Sequence, residues 1–310
     1  MNSKNIARTS AIGGSGSGLR QQARSVGALA LALALGLPLG AAAQVPFATP
    51  EQAADALIEA VATRDQVAMP RLLGKDWRQL MPPEGVSADD REIFLDKARQ
   101  TRTVNVTGGR GELVVGADAW PLPIPLVQGK DGQWRFDPRG GREAIVARTI
   151  GSNELSAMQA ALAYIDAQRE YAQADRNGDG MLEYAQKLVS SPGQRDGLIW
   201  STSLDDESPM GEAFAPSRPG EGYHGYRFKI LNGQGSNAKG GARSYLIGKR
   251  MSNGYALLAW PVSYGKTGVM SFMVNQDGQL FERDLGPKTS EAAASIKRFD
   301  PDKNWHATKP

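Results

Sequence analysis

From residue 44 onward, the hydrophobic positions fall into two successive helix-then-strand stretches. In the first, Ala54, Leu57, Ile58 and Val61 recur at the spacing of one helical face. Thr49-Pro50-Glu51-Gln52 ahead of them supplies a capping threonine, a proline at the first helical position and a glutamine at the third. Val67, Leu72 and Leu73 predict a second short helix, Trp77 and Leu80 act as core plugs before Pro82-Pro83, and residues 91–99 predict a third helix. The period then changes to two, which gives strands over 103–106, 112–115, 120–127 and 134–136, with Asp131-Gly132 as the turn between the last pair.

The second stretch opens on a helix from Asn153 to Ala174, with Leu155, Met158, Leu162 and Ile165 on one stripe. An acidic, glycine-containing loop follows from Asp175, then a helix over Glu183 to Val189, closed by Pro192-Gly193. Residues 198–222, rich in Ser, Pro, Gly and acids, read as a long surface loop. Strands follow over 226–231, 245–247, 255–260, 269–274 and 280–283, with Asn275-Gln276-Asp277-Gly278 turning between the last two. From Pro287 onward the chain is polar and lysine-rich, and a loosely held tail is expected. The expected fold class is α+β, helices plus curved antiparallel sheets, in two lobes over 44–150 and 151–286 with a tail over 287–310.

The first 43 residues have a different character. Lys4, Arg8, Arg20 and Arg24 stand there without an Asp or Glu, the apolar run Val26 to Leu39 follows, and Ala41-Ala42-Ala43 ends the segment. A basic region, an apolar core and a small-residue exit predict a secretory signal peptide cut before Gln44 by signal peptidase. The apolar run is shorter than the ~20 residues of a membrane-spanning helix, so no transmembrane anchor is expected after cleavage. No cysteine is present for lipid attachment. The expected location is periplasmic or secreted.

That segment also carries the basic excess. The chain has 36 Lys+Arg against 33 Asp+Glu, and setting aside the four basic residues of the first 43 leaves 32 against 33. No run of Lys or Arg remains to track a phosphate backbone, so nucleic acid is not an expected partner. The absence of cysteine excludes disulfides, thiol nucleophiles and thiolate metal sites together.

The motifs Ala167-Gln168-Arg169-Glu170-Tyr171, Asp175 to Ala185, Tyr223-His224-Gly225-Tyr226-Arg227-Phe228 and Gly265 to Gly278, taken in this order, resemble those of the exported bacterial proteins grouped as domain of unknown function 2950. The resemblance covers nearly all of the chain after residue 43 and implies an envelope protein with no catalytic residues to carry over. More loosely, residues 49–136 are similar in pattern to small nuclear-transport-factor-like folds, and the later helix, acidic loop and sheet resemble a pseudopilin head.

No complete catalytic constellation is present. Ser263-Tyr264-Gly265-Lys266 and Lys266-Thr267-Gly268 match two serine acyl-enzyme signatures but share one lysine, so they read as a glycine turn between strands. The histidines are His224 and His306, with no metal-ligand spacing between them. Tyr223, His224 and Tyr226 follow the longest polar loop at the entry to a sheet and are the candidate wall of a ligand pocket. Trp200 and Tyr223, flanking that loop, are a candidate stacking platform, although aromatic residues near strands ordinarily serve the core.

The sharpest metal candidate is the acidic loop. Asp175, Asn177 and Asp179 occupy positions 1, 3 and 5 of a calcium loop, Gly180 position 6, the Met181 carbonyl position 7 and Glu183 position 9. Gln186 stands where a bidentate glutamate belongs, so calcium, the one candidate cofactor, would bind weakly there. Without an ion the same residues make an Asx-rich connector. The expected function is an exported, soluble, non-catalytic binding or assembly module that meets an envelope protein or polymer. The alternatives are a periplasmic hydrolase using carboxylates such as Asp179 and Glu183 with His224, and a pseudopilin-like secretion component.

Overall fold

The computed structural model describes residues 44–82, 85–200, 207–211, 214 and 222–310. The proposed signal peptide, Pro83 and most of the expected loop at 198–222 lie outside the described residues. The architecture is α+β, with helices and several antiparallel sheets.

Helix α1, Pro50–Thr63, begins where its residues say it should: Thr49 Oγ1 accepts the Gln52 N–H at 3.3 Å, with Pro50 at the first helical position. It buries Ala53, Ala54, Leu57 and Ala60. Helix α2, Ala68–Leu73, and a 3₁₀ turn, Trp77–Leu80, add Leu72, Leu73 and Trp77 to the same core. Helix α3, Ala88–Gln100, is capped by Ser87, whose hydroxyl accepts from Asp90 N at 3.0 Å and donates to Asp90 Oδ2 at 2.7 Å.

Strands β1, Arg102–Thr107, β2, Arg110–Val115, β3, Trp120–Pro121, β4, Leu126–Gln128, and β5, Trp134–Phe136, form one antiparallel sheet in the order β1-β2-β4-β5, with β3 also on β2. The single strand expected over 120–127 is therefore two. Pro121, Pro123 and Pro125 remove the N–H groups that a continuous ladder would need. Leu126 and Phe136 of this sheet close over α1 and α2.

Helix α4, Pro138–Tyr171, starts well before the expected Asn153. Asp137 caps it, with Oδ1 accepting from Arg139 N at 3.1 Å and Gly140 N at 3.0 Å. Gly140 and Gly141, which lie ahead of the expected helix, are helical because the packing needs their bareness. A Cβ on Gly141 would lie 3.3 Å from Ile124. Each glycine costs about 1 kcal/mol in helix propensity, and close packing outweighs it. The first part of α4 contributes Ile145 to the α1 core, whereas Ala157, Ala161, Tyr164 and Ile165 belong to a second core. The expected lobe division at 150/151 thus falls inside one helix that serves both cores.

Strands β6, Tyr226–Leu231, β7, Gly233–Gln234, β8, Arg243–Ser244, β9, Leu246–Ile247, β10, Arg250–Met251, β11, Ala256–Pro261, β12, Met270–Asn275, and β13, Leu280–Asp284, complete most of the second half. Helix α5, Thr289–Ser295, and strand β14, His306–Thr308, follow. The main sheet is antiparallel throughout, in the order β14-β13-β12-β11-β6, while β7/β8 and β9/β10 are two small ribbons inserted between β6 and β11. Helix α4 packs on β11, β12 and β13. Tyr164 donates to the Ala256 carbonyl at 3.3 Å, and Tyr255 returns a bond to the Ile165 carbonyl at 3.4 Å.

Two local expectations are corrected. The residues from Pro287 onward are not a loose tail: β14 pairs with β13, and Ala293, Phe299 and Trp305 are buried. Lys229 reaches from β6 to donate to the Ala293 and Ile296 carbonyls at 2.6 Å each, satisfying the end of α5. Isolated apolar residues in a polar stretch have no period to read. The expected helix over Glu183 to Val189 is extended chain. Its backbone is claimed from outside, because Tyr184 N donates to the Met251 carbonyl at 2.7 Å and Ala185 N to Gln168 Oε1 at 2.8 Å. Gln168, fully buried on α4, also donates through Nε2 to the Ala185 carbonyl at 2.8 Å, so its amide pairs with Ala185 as a second peptide group would. No helix among the described residues is long and apolar enough to cross a membrane.

Two substitutions check this description. Gly151 lies mid-helix with no atom within 4 Å of where a Cβ would stand. Gly151→Ala is expected to stabilise the protein by roughly 0.5–1 kcal/mol and raise the melting midpoint by a few degrees. Gln168→Leu strands the Ala185 N–H and carbonyl in the core and is expected to cost about 2–4 kcal/mol, measured by denaturant unfolding.

Candidate functional site

The acidic loop after α4 is held by its own side chains. Asp175 accepts from Gly178 N at 2.8 Å through Oδ1 and from Gly180 N at 2.7 Å through Oδ2, with Gly178 and Gly180 at φ 72° and 79°. These left-handed glycines allow the chain to wrap around the carboxylate. Asn177 donates to Glu183 Oε1 at 2.8 Å, and Asp179 Oδ1 accepts from Met181 N at 3.1 Å. A positive charge reaches the loop from β10: Arg250 places Nε and Nη2 at 2.9 and 2.6 Å from Asp179 Oδ2. This pair depresses the Asp179 pKa, whereas burial, then the Asp179 charge, raises that of Glu183.

This donor set does not fit a calcium site. A guanidinium occupies the flank that a cation would need, and Gln186 turns its amide to the Lys249 carbonyl at 2.8 Å. The second helix of an EF-hand is replaced by the extended segment at Tyr184. Met181 and Leu182 are exposed, and among the described residues no three His, Asp or Glu side chains converge as metal ligands would.

The second candidate sits at the entry to β6. Tyr223 and Tyr226 exchange backbone hydrogen bonds at 2.8 and 2.9 Å across a two-residue turn, His224-Gly225, with φ 44° and 69°. Both central residues are left-handed, which suits a type I′ hairpin and strains the histidine slightly. The three residues diverge from there. His224 is exposed, its ring edge-on to Tyr223 at 4.3 Å. Tyr226 is fully buried and donates to the Met270 carbonyl at 2.8 Å; burial, then the Glu154 charge, drives its pKa upward.

Tyr223 stacks on Phe214 at 4.6 Å and, with Tyr226, borders a cavity of about 260 Å³. Ala160 of α4 and Leu257 and Trp260 of β11 form its inner wall, and Phe228 of β6 lines it too. Leu188, Val189 and Ile199 line it from the segment after the acidic loop, where Val189 and Ile199 form a parallel bridge. Among the described residues, Arg227 is the charged one that lines it. His224 is not part of the lining. Trp200 is buried beneath Arg176, whose guanidinium lies 5.3 Å from its ring, so Trp200 and Tyr223 do not form an exposed platform.

The Ser263 to Gly268 segment is a turn between β11 and β12, fastened to α4. Asn153 donates to the Thr267 carbonyl at 2.9 Å, and Glu154 Oε1 accepts from Val269 N and Met270 N at 2.9 Å each. Lys266 is exposed, and Ser263 contributes its backbone N–H to Thr267 Oγ1 at 3.0 Å. A Cβ on Gly268 would overlap the Tyr226 hydroxyl. His306 lies exposed on β14.

The sequence offered no sign of Arg250, which stands 71 residues from Asp179, and Glu154 was one more polar helix position. Of the apolar lining, Phe214 fell within the expected surface loop and Phe228 within an expected strand, with nothing to mark either as facing a cavity.

Gly268→Ala is expected to destabilise the fold by about 1–3 kcal/mol through overpacking against Tyr226, read from the unfolding midpoint. The acidic loop carries a pH signature. Because the folded Asp179 pKa is depressed below its ordinary value of 3.8, its pairing stabilises above that value and is lost as pH falls through the folded pKa. Amide protection at 175–183, taken relative to the intrinsic exchange rate at each pH, should fall on acidification below that range and be low at all pH values in Arg250→Ala; strong protection in that variant contradicts the pairing.

No curated protein and no solved structure matches the chain. Residues 44–308 match the family model described as Protein of unknown function (DUF2950). The match covers nearly all of the chain beyond the first 43 residues, from the glutamine ahead of α1 to the last residue of β14, and so takes in both cores, the acidic loop and the cavity. The chain belongs to the DUF2950 family.

Proposed function

We propose that this protein is an exported, non-catalytic binding module of the cell envelope whose ligand inserts a compact apolar group into the cavity between α4, β6 and β11. The observation that carries this reading is the cavity itself. At ~30 Å³ per water-sized group, 260 Å³ holds roughly eight such groups, about the size of one aromatic ring with a short substituent. Its wall is largely aliphatic and aromatic, with Arg227 and the Tyr223 phenol as the polar features that would orient a ligand. The wall rests on elements of both the main sheet and α4, a rigid support for a site. A periplasmic hydrolase finds less support, because His224 is exposed on a turn and its one described contact is the Tyr223 ring.

Export rests on the basic, apolar and small-residue regions of the first 43 residues. A pseudopilin-like role would require that segment to be retained. Intact-mass measurement of protein recovered from the periplasm or medium should give a chain beginning at Gln44, and a retained apolar segment would overturn export by cleavage.

The neutral dye N-phenylnaphthylamine, whose phenyl ring is an apolar group of one-ring size while its naphthalene would stay at the mouth, tests the cavity. Its fluorescence is expected to rise saturably with the folded protein and to fall in Val189→Trp, which fills the mouth from a half-exposed position and leaves the core intact. Saturable binding that is unaffected by Val189→Trp, or no saturable binding, removes the cavity from the reading.

A further inference from the structure

We propose that Asn177 is a self-modifying site, at which the Asn177-Gly178 pair deamidates and so adds a carboxylate to the acidic loop. The chain contains Asn-Gly at 177–178, 232–233 and 253–254. In such a pair the backbone nitrogen of the glycine attacks the side-chain carbonyl carbon of the asparagine. A new C–N bond closes a five-membered succinimide, the bond from Cγ to Nδ2 breaks, and the amide leaves as ammonia carrying the proton taken from the glycine N–H. Water then opens the ring at either carbonyl, giving aspartate or isoaspartate. The balance is amide plus water to carboxylic acid plus ammonia, with no other reactant.

The structure separates the three pairs. Gly233 is buried in the β7/β8 ribbon, where a Cβ would lie 2.8 Å from the Arg243 carbonyl, so that backbone has no room to reorganise. Gly254 presses on Tyr245, with its Cβ position 2.7 Å from the ring, so that backbone is crowded as well. Asn177 and Gly178 are both exposed in a loop outside any helix or strand, and nothing lies within 4 Å of the Gly178 Cβ position.

The neighbours also suit the chemistry. The attacking nitrogen, Gly178 N, donates to Asp175 Oδ1 at 2.8 Å, which puts a proton acceptor on the nucleophile. The carbonyl under attack, Asn177 Oδ1, accepts from Asp179 N at 3.1 Å, a donor placed where negative charge develops. The consequence is local and directional. Asn177 Nδ2 donates to Glu183 at 2.8 Å and to Asp179 at 3.3 Å, and replacing that donor with a carboxylate turns two attractions into repulsions. Arg250 is ion-paired to Asp179 of this loop, and the modified loop loosens around that pair.

Peptide mapping by mass spectrometry after prolonged incubation of the purified protein at mildly alkaline pH tests the proposal. The expected result is that the peptide containing residue 177 gains the mass of an amide-to-acid change, with an isoaspartyl product, before those containing 232 or 253, and that Asp175→Asn slows this severalfold. Modification at 232 or 253 first, or none at 177, overturns the site in the unaltered protein, whatever a variant does. An unchanged or faster rate in Asp175→Asn overturns the part assigned to Asp175.

Discussion

The structure depends on the seating of one face of α4 on the β11-β12 side of the main sheet. Ala157, Ala160 and Ala161 keep that face thin, so the helix lies close to the strands, and Tyr164 and Tyr255 then reach across to backbone carbonyls on the opposite element. Apolar burial supplies the attraction, at about 25 cal/mol per Å² removed from water, but it does not select a register. The directional bonds do. Asn153 and Glu154 fix the helix to the turn before β12, while Gln168 fixes it to Ala185. Between those fastenings, Ala160 becomes the floor of the cavity.

The same seating also supports the irregular segment that follows α4, up to Trp200. That segment hangs from the helix and the ribbons and is also bonded within itself: Tyr171 donates to the Arg195 carbonyl at 2.9 Å, Tyr184 bonds to Met251 and Arg250 holds Asp179, while Leu198 N donates to the Leu188 carbonyl at 2.9 Å. The ion pair is exposed and contributes little to global stability, yet it decides where the acidic loop lies. The loop's calcium-like spacing is met by internal hydrogen bonds and a guanidinium, a different answer to the same concentration of oxygen atoms.

Much of the fold was legible because helix starts and two-residue turns have local chemistry. Thr49-Pro50 marked α1, and Asp131-Gly132 and Asn275 to Gly278 marked hairpins, since capping and left-handed glycine are matters of a few adjacent residues. What could not be read was set from a distance. Gly140 and Gly141 are helical because Pro125 closes on the first and Ile124 and Leu80 on the second, and residues 183–189 are extended because Gln168 and Met251 take their backbone groups. Trp305 and Phe299 pin the chain end without any period. The candidate site divides the same way: Tyr223 and Tyr226 stood out in the sequence and border the cavity, while Ala160, Phe228 and Leu257 had nothing to distinguish them from core residues.

The central claim is that the space between α4, β6 and β11 receives an apolar group. Methyl and indole chemical-shift mapping during titration with N-phenylnaphthylamine tests it most directly. The account predicts that the largest shifts fall together on Ala160, Leu257 and Trp260, with the acidic loop and the β1 edge unmoved. Shifts confined to exposed apolar residues such as Val106, Met181 or Ile247, with those three unchanged, would contradict it.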